Sequence, residues 1–176
     1  MDRIAVLTLS LLLGLVPLLA FSQKLEEDII KTSAGDLKIT FIGHSSLVLT
    51  FGDKVIHVDP VTSEGNYKQL PQADLVLITH DHYDHFDPAA LKLLKKDSTI
   101  IVGPTSLQSR VQGLTVMKNG DRLNLLGLEI EAVPAYNLVH KRPDGQPFHP
   151  RGTGNGYIVT FGDKRVYIAG DTENIP

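Results

Sequence analysis

The chain has 176 residues, a formal net charge of −3 and no cysteine. That length supports one domain with a real core, and the lack of cysteine excludes a disulfide scaffold and any thiolate-ligated metal site. The basic residues are scattered, which excludes a nucleic-acid-binding stripe, and 17 basic against 20 acidic side chains exclude a disordered acidic chain.

Taken in chain order, the first segment stands apart. Met1-Asp2-Arg3 precedes an apolar stretch from Ile4 to Phe21, and Ala20-Phe21-Ser22 gives a small-x-small cleavage pattern with Gln23 as the mature start. Residues 1–22 therefore read as a signal peptide, and the chain as exported, periplasmic or secreted. The competing reading is a retained anchor, since the stretch approaches the ~18-residue limit for a span. Pro17 interrupts it, no basic cluster follows, and there is no cysteine to carry a lipid. No stable membrane anchor is expected after cleavage. Residues 23–36 are polar and charged and read as a lead-in to a domain over residues 37–176.

From Leu37 the chain reads as short strands with tight turns. Leu37–Ile42, Leu47–Phe51 and Val55–Val58 are predicted strands, with Gly52-Asp53 as a two-residue hairpin turn. Leu75–Ile78 is continuously apolar, as in a strand covered on both faces. Asp87 and Pro88 suit the cap and first position of a helix with Leu91 and Leu94 inward. Thr99–Val102 is another strand, Pro104–Val111 a short helix, and Leu123–Val133 further strand broken near Gly127. Residues 134–155 form a long loop with four prolines, a length usually reserved for function. Leu47 to Pro60 is echoed by Tyr157 to Asp171. Both are hairpins around Thr-Phe-Gly-Asp-Lys, and both end on a strand that delivers an aspartate.

The most informative stretch is His80-Asp81-His82-Tyr83-Asp84-His85, directly after the apolar strand. Imidazole and carboxylate suit zinc and similar divalent metals. Grouping them at the end of a buried strand is costly unless something binds them. In an extended chain, residues two apart point the same way, so His80 and His82 can reach one ion. Asp84 and His85 follow the start of a turn and can face a second ion or a water, while Asp81 and Tyr83 point elsewhere.

The H-x-H-x-D-H pattern resembles the signature of the metallo-β-lactamase superfamily. Gly43-His44-Ser45-Ser46, Val58-Asp59-Pro60, Pro134-Ala135-Tyr136-Asn137, His149-Pro150 and Ala169-Gly170-Asp171-Thr172 occur in the order expected. The set is most similar to the broad branch of hydrolases that includes the ascorbate-6-phosphate lactonases. The resemblance covers residues 37–176 and implies an α+β fold, an αββα sandwich of two related halves. It also implies an enzyme: an exported metal-dependent hydrolase, with two Zn2+ (Mn or Fe as alternatives), that cleaves a small-molecule lactone, ester or phosphodiester. His80, His82 and a later histidine would hold the first ion. His149 is preferred over His140 because its His-Pro precedes a glycine-rich stretch as in related hydrolases. Asp84 and His85 would join the second ion, Asp171 would bridge, and Asp84 would also orient the nucleophile as the catalytic carboxylate. Such a site makes hydroxide at neutral pH by lowering the pKa of metal-bound water.

A domain of this family would continue with further strands and helices and one more histidine. The chain is therefore expected to be a fragment with its C-terminal part missing. The alternative functions are a non-catalytic metal-binding or interaction protein on the same fold, an iron redox site, or an inactive truncated product. Weaker candidates complete the reading. Asp59 orients a ligand histidine or caps the turn before Val61. His44 lines the pocket or makes a structural hydrogen bond, and His57 is a packed or edge histidine. Thr79 and Thr172 support neighbouring ligands. Lys141, Arg142 and Arg151 attract an anionic substrate or are simply solvated. Tyr136 and Asn137 shape the pocket by family likeness alone.

Overall fold

The two Phe-Gly-Asp-Lys hairpins set the architecture of the computed structural model, which describes residues 25–176. The expected signal segment lies outside these residues. The first hairpin joins β3 (Ser46–Phe51) to β4 (Lys54–Val58), and the second joins β10 (Gly154–Phe161) to β11 (Lys164–Ile168). Each turn opens on a glycine at positive φ, Gly52 at 60° and Gly162 at 58°, as a type II′ turn demands. One hairpin belongs to each of two sheets, and the Phe51 and Phe161 rings meet edge to face 5.2 Å apart between them.

The larger sheet has seven strands in chain order, β1 (Glu26–Thr32), β2 (Gly35–Gly43), β3, β4, β5 (Ala73–Leu77), β6 (Lys95–Gly103) and β7 (Thr115–Val116). It is antiparallel up to β4 and parallel beyond. Parallel neighbours need crossovers, and those after β4 and β5 carry Asp59 and the histidine-rich segment. The smaller sheet is antiparallel, in the order β11, β10, β9 (Leu128–Ala135), β8 (Arg122–Leu125). Leu126 and Gly127 both take positive φ in the β8–β9 turn, which accounts for the break expected near Gly127.

Alternation places Leu75 and Leu77 of β5 in the core between the sheets, with Leu49, Ile56, Ile130, Tyr157, Val159 and Phe161. Val76 and Ile78 face the other way, toward Ala90, Leu91 and Leu94 of helix α1 (Pro88–Leu94). The strand is thus covered on both faces, as its unbroken apolar run implied. Asp87 caps α1 by accepting from Ala89 N at 2.8 Å. The expected two-sheet α+β sandwich is present, with α, β and β layers among the described residues. None of their helices is long and apolar enough to cross a membrane.

Three details correct the sequence reading. The charged lead-in folds as β1, paired with β2 from Glu26↔Phe41 to Thr32↔Gly35. The helix expected over 104–111 contracts to a 3-10 turn, Thr105–Leu107, after which only isolated turn bonds tie Arg110 and Val111 to Leu107. The long loop is shorter than expected, because β9 extends to Ala135 and β10 begins at Gly154.

Candidate metal centre

Asp59 and Thr79 follow the C-terminal ends of the neighbouring parallel strands β4 and β5, where open parallel sheets place their ligand sites. Asp59 has φ of 41° and is completely buried. Its carboxylate accepts from Thr79 N at 2.7 Å, from Thr79 Oγ1 at 2.6 Å and from His85 Nδ1 at 2.8 Å. A carboxylate on Nδ1 turns the other ring nitrogen of His85 toward the site. Asp59 therefore orients a histidine, the first of the two roles weighed for it.

The chain turns after His82, whose carbonyl accepts from His85 N at 3.1 Å and Phe86 N at 2.9 Å. This turn folds His85 back beneath His80, with ring centroids 4.0 Å apart. His80 and His82 lie 4.7 Å apart, and each ring lies 4.9 Å or less from that of His149.

Six side chains form two trios. His80, His82 and His149 make one, His44, His85 and Asp171 the other, and in each the ligand atoms lie within 4.8 Å of one another. Asp171 spans both, with Oδ1 at 3.2 Å from His85 Nε2 and Oδ2 at 3.3 Å from His149 Nε2. It is delivered by Gly170 at φ 62°, where a Cβ would stand 3.0 Å from Thr79 Cβ. Only glycine makes that turn without strain.

Whether the residues fit a cation can be judged from their unpaired atoms. His80 Nε2 and His85 Nε2 are buried with no hydrogen-bond partner; the 3.2 Å approach of Asp171 to His85 lacks hydrogen-bond geometry. Buried polar nitrogens are rarely left unpaired. Two of them beside a carboxylate make a nitrogen and oxygen donor set that suits a divalent metal. The residues fit.

Burial, reinforced by His85 and His82, pulls the His80 imidazole down to about 3. Burial also lowers His149. Both rings therefore stay neutral, the form that ligates. Burial opposes charge on His85 as well, but Asp171 and Asp59 on its two sides outweigh it and hold the ring at about 9. Its contact with His85 brings the Asp171 carboxyl down to about 2.

The remaining candidates fall outside the two trios. Asp84, expected beside His85 on the second ion and as the catalytic carboxylate, lies with Oδ2 3.5 Å from His44 Nε2, and His44 takes the third place in that trio. His44 reaches it through φ of 48° at the β2–β3 corner and stacks edge-on against His85. His140 is 78% exposed and paired through Nδ1 with Glu173 at 2.7 Å. Among the loop cations, Arg142 lines the cleft beside the histidines together with Phe148 and Ser106. Arg151 instead lies over the Tyr136 ring. Sequence reasoning missed Glu173, which no motif marks, and gave Asn137 no specific role.

A two-sheet sandwich that gathers histidine and carboxylate trios at its strand ends defines a class of metal-binding hydrolase folds. Residues 38–176 match the family described as the beta-lactamase superfamily domain, and the chain belongs to the metallo-β-lactamase superfamily. It is 33% identical over 146 residues to a UPF0173 metal-dependent hydrolase of Methanopyrus kandleri, covering 77% of this chain and 62% of that protein. A crystal structure described as a metal-dependent hydrolase from Parabacteroides distasonis is 46% identical, with a TM-score of 0.82 over 87% of this chain and 69% of that one. A metallo hydrolase of Ignicoccus hospitalis is 26% identical with a TM-score of 0.57, over 77% of this chain and 61% of its own. The chain spans 58–62% of the length of the first three curated relatives it matches.

Proposed function

We propose that this protein is a metal-dependent hydrolase that holds two divalent cations, zinc foremost, and cleaves a lactone, another ester or a phosphodiester. The observation that carries this reading is the pair of trios spanned by Asp171. Cations held there would supply a solvent nucleophile ionised near neutral pH and positive charge for the developing oxyanion. His80 and His149 present uncharged imidazoles beside the ring of His82. Asp59 fixes the His85 ring, and Asp171 contributes one carboxylate oxygen toward each group. Arg142 and Phe148 on the cleft wall offer an anion contact and an apolar face to a small-molecule substrate. The apolar Ile4–Phe21 stretch and its small-x-small end support export, which N-terminal sequencing of the mature protein tests.

One observation favours a second reading, a metal-binding protein without turnover: Asp84 rests against His44, outside both trios. Metal analysis and activity on the same purified sample separate the two. The hydrolase reading expects about two cations per chain and turnover on a lactone, ester or phosphodiester panel. Turnover should be abolished by chelator, restored by zinc and lost in His82→Ala. Bound metal with no chelator-sensitive turnover on any panel supports the second reading instead.

A further inference from the structure

His149 lies on the loop between β9 and β10, the least regular part of the site, yet its ring is fixed by a chain of definite hydrogen bonds. The chain starts at Glu173, two residues beyond Asp171. Its carboxylate accepts from three consecutive loop amides, Leu138 N, Val139 N and His140 N, each at 2.8 Å. It also accepts from Asn137 Nδ2 at 3.2 Å. The same segment is tied to Tyr136 through Glu173 N to Tyr136 O at 3.1 Å and Tyr136 N to Thr172 Oγ1 at 3.1 Å.

The polarity of this chain carries information. A carboxylate can only accept, so the Asn137 amide must turn its NH2 toward Glu173 and its oxygen the other way. That oxygen meets His149 N at 2.9 Å and His149 Nδ1 at 2.7 Å. An amide oxygen also only accepts, so His149 must carry its hydrogen on Nδ1. Its Nε2 keeps the lone pair and can only accept, and Nε2 is the atom that meets His82 Nδ1 at 3.1 Å and lies 3.3 Å from Asp171 Oδ2.

We propose that Asn137 and Glu173 are positioning residues: Glu173 orients the Asn137 amide, and Asn137 sets the tautomer of His149 so that Nε2 faces the cation site. The proposal rests on the reading of His80, His82 and His149 as ligands. The device also ties the His149 loop to the segment that delivers Asp171, so that donors from two parts of the chain are aligned by one carboxylate. Partners of this kind typically change metal affinity by about 10–100-fold when removed.

The test reads the tautomer directly, in cation-free protein and apart from any hydrolysis. Two-bond 1H–15N spectra of 15N-histidine-labelled full-length protein at pH 8 should show His149 with hydrogen on Nδ1, the signal being assigned by its loss in His149→Gln. Asn137→Leu should remove that preference. Glu173→Ala should populate both tautomers, and zinc titration of it and of Asn137→Leu should show affinity weaker by about 10–100-fold. An Nε2–H tautomer in the unsubstituted protein overturns the proposal, whatever the variants do. So does an unchanged tautomer in Asn137→Leu and Glu173→Ala with native thermal unfolding. A protein with the expected tautomers that nevertheless hydrolyses nothing would count against the hydrolase reading and leave this one supported.

Discussion

Replacing Asp59 by asparagine changes one oxygen to an NH2 group in a completely buried position, and the consequences can be followed atom by atom. Asp59 accepts three hydrogen bonds, two from Thr79 and one from His85, whereas the asparagine amide has a single acceptor atom. If that oxygen stays on Thr79 N, the NH2 faces Thr79 Oγ1 and His85 Nδ1. The hydroxyl rotates and accepts. The imidazole can pair only by giving up its Nδ1 hydrogen and keeping one on Nε2, the nitrogen that faces Asp171. The ring stays hydrogen-bonded, so the loss in cation-free protein is that of one charge-assisted bond, roughly 1.5–3 kcal/mol. The loss in cation affinity is larger in effect, because a cation on Nε2 requires the ring hydrogen on Nδ1, where the asparagine NH2 cannot accept it, and about 10–100-fold is expected. At a zinc concentration 100 times the original Kd, zinc stabilises the native protein by about 2.7 kcal/mol. A 10–100-fold weaker site leaves about 1.4 to 0.4 kcal/mol. For a chain of this size each kcal/mol moves the melting temperature by about 2–4 °C. The assay is thermal unfolding of both proteins with chelator and with zinc, beside a competitive zinc titration. An Asp59→Asn protein that keeps the full zinc-induced rise, and an affinity within about twofold of the original, would refute the reasoning.

Two further outcomes are expected. His149→Ala should weaken zinc binding by at least the ~10–100-fold that loss of an outer-shell partner causes, whereas His140→Ala should stay within about twofold; competitive titration checks both, and equal losses would return His140 to the site. A pH effect should arise away from the metal. Burial pulls His57 down to about 4, although its Nε2 meets Pro71 O at 2.9 Å. Since the folded value lies below the unfolded one near 6.5, this contribution is complete above pH 6.5 and lost as the pH falls toward 4. At pH 5 the loss amounts to about 2 kcal/mol, or roughly 4–8 °C. In chelator, His57→Gln should therefore lose less stability than the unsubstituted protein between pH 7 and pH 5, and parallel melting curves would contradict this.

The parts of the fold that were legible in the sequence are those where local chemistry and burial agree. Asp87-Pro88 capped a helix, Gly52 and Gly162 marked hairpins, and Leu75–Ile78 announced a strand buried on both faces. Strand β1 was hidden because it is an edge strand with little buried on either face. Ile29 is 63% exposed, so no alternation reveals it, and its registry depends on the ladder to β2. At the site, the spacing of His80 and His82 was readable from strand geometry. The approach of Asp84 to His44, with Oδ2 3.5 Å from Nε2, was not, because it depends on how the chain turns after His82. His44 enters through a left-handed backbone conformation at a strand corner, which the sequence does not announce. Glu173 acts through loop amides, and backbone donors leave no trace in the residue pattern.

The echo between the two hairpins gains a physical meaning at His85. Val58 hands the chain to Asp59 after β4, and Ile168 hands it toward Asp171 after β11. These two aspartates, one from each sheet, approach the two nitrogens of the same imidazole at 2.8 and 3.2 Å. At the other end of the hairpins, Phe51 and Phe161 pack against each other in the core. The sheets therefore meet twice, once by aromatic packing at the turns and once at the strand ends, where His85 lies between the two carboxylates. The spacing between Asp59 and Asp171, and with it the place of the Asp171 carboxylate between the two trios, is then set by how the whole sandwich packs and not by the short histidine-rich segment alone. That segment supplies donors, but a donor set becomes a metal site only when rotamers and tautomers are held by a surrounding shell. Here the shell comes from both halves of the repeat.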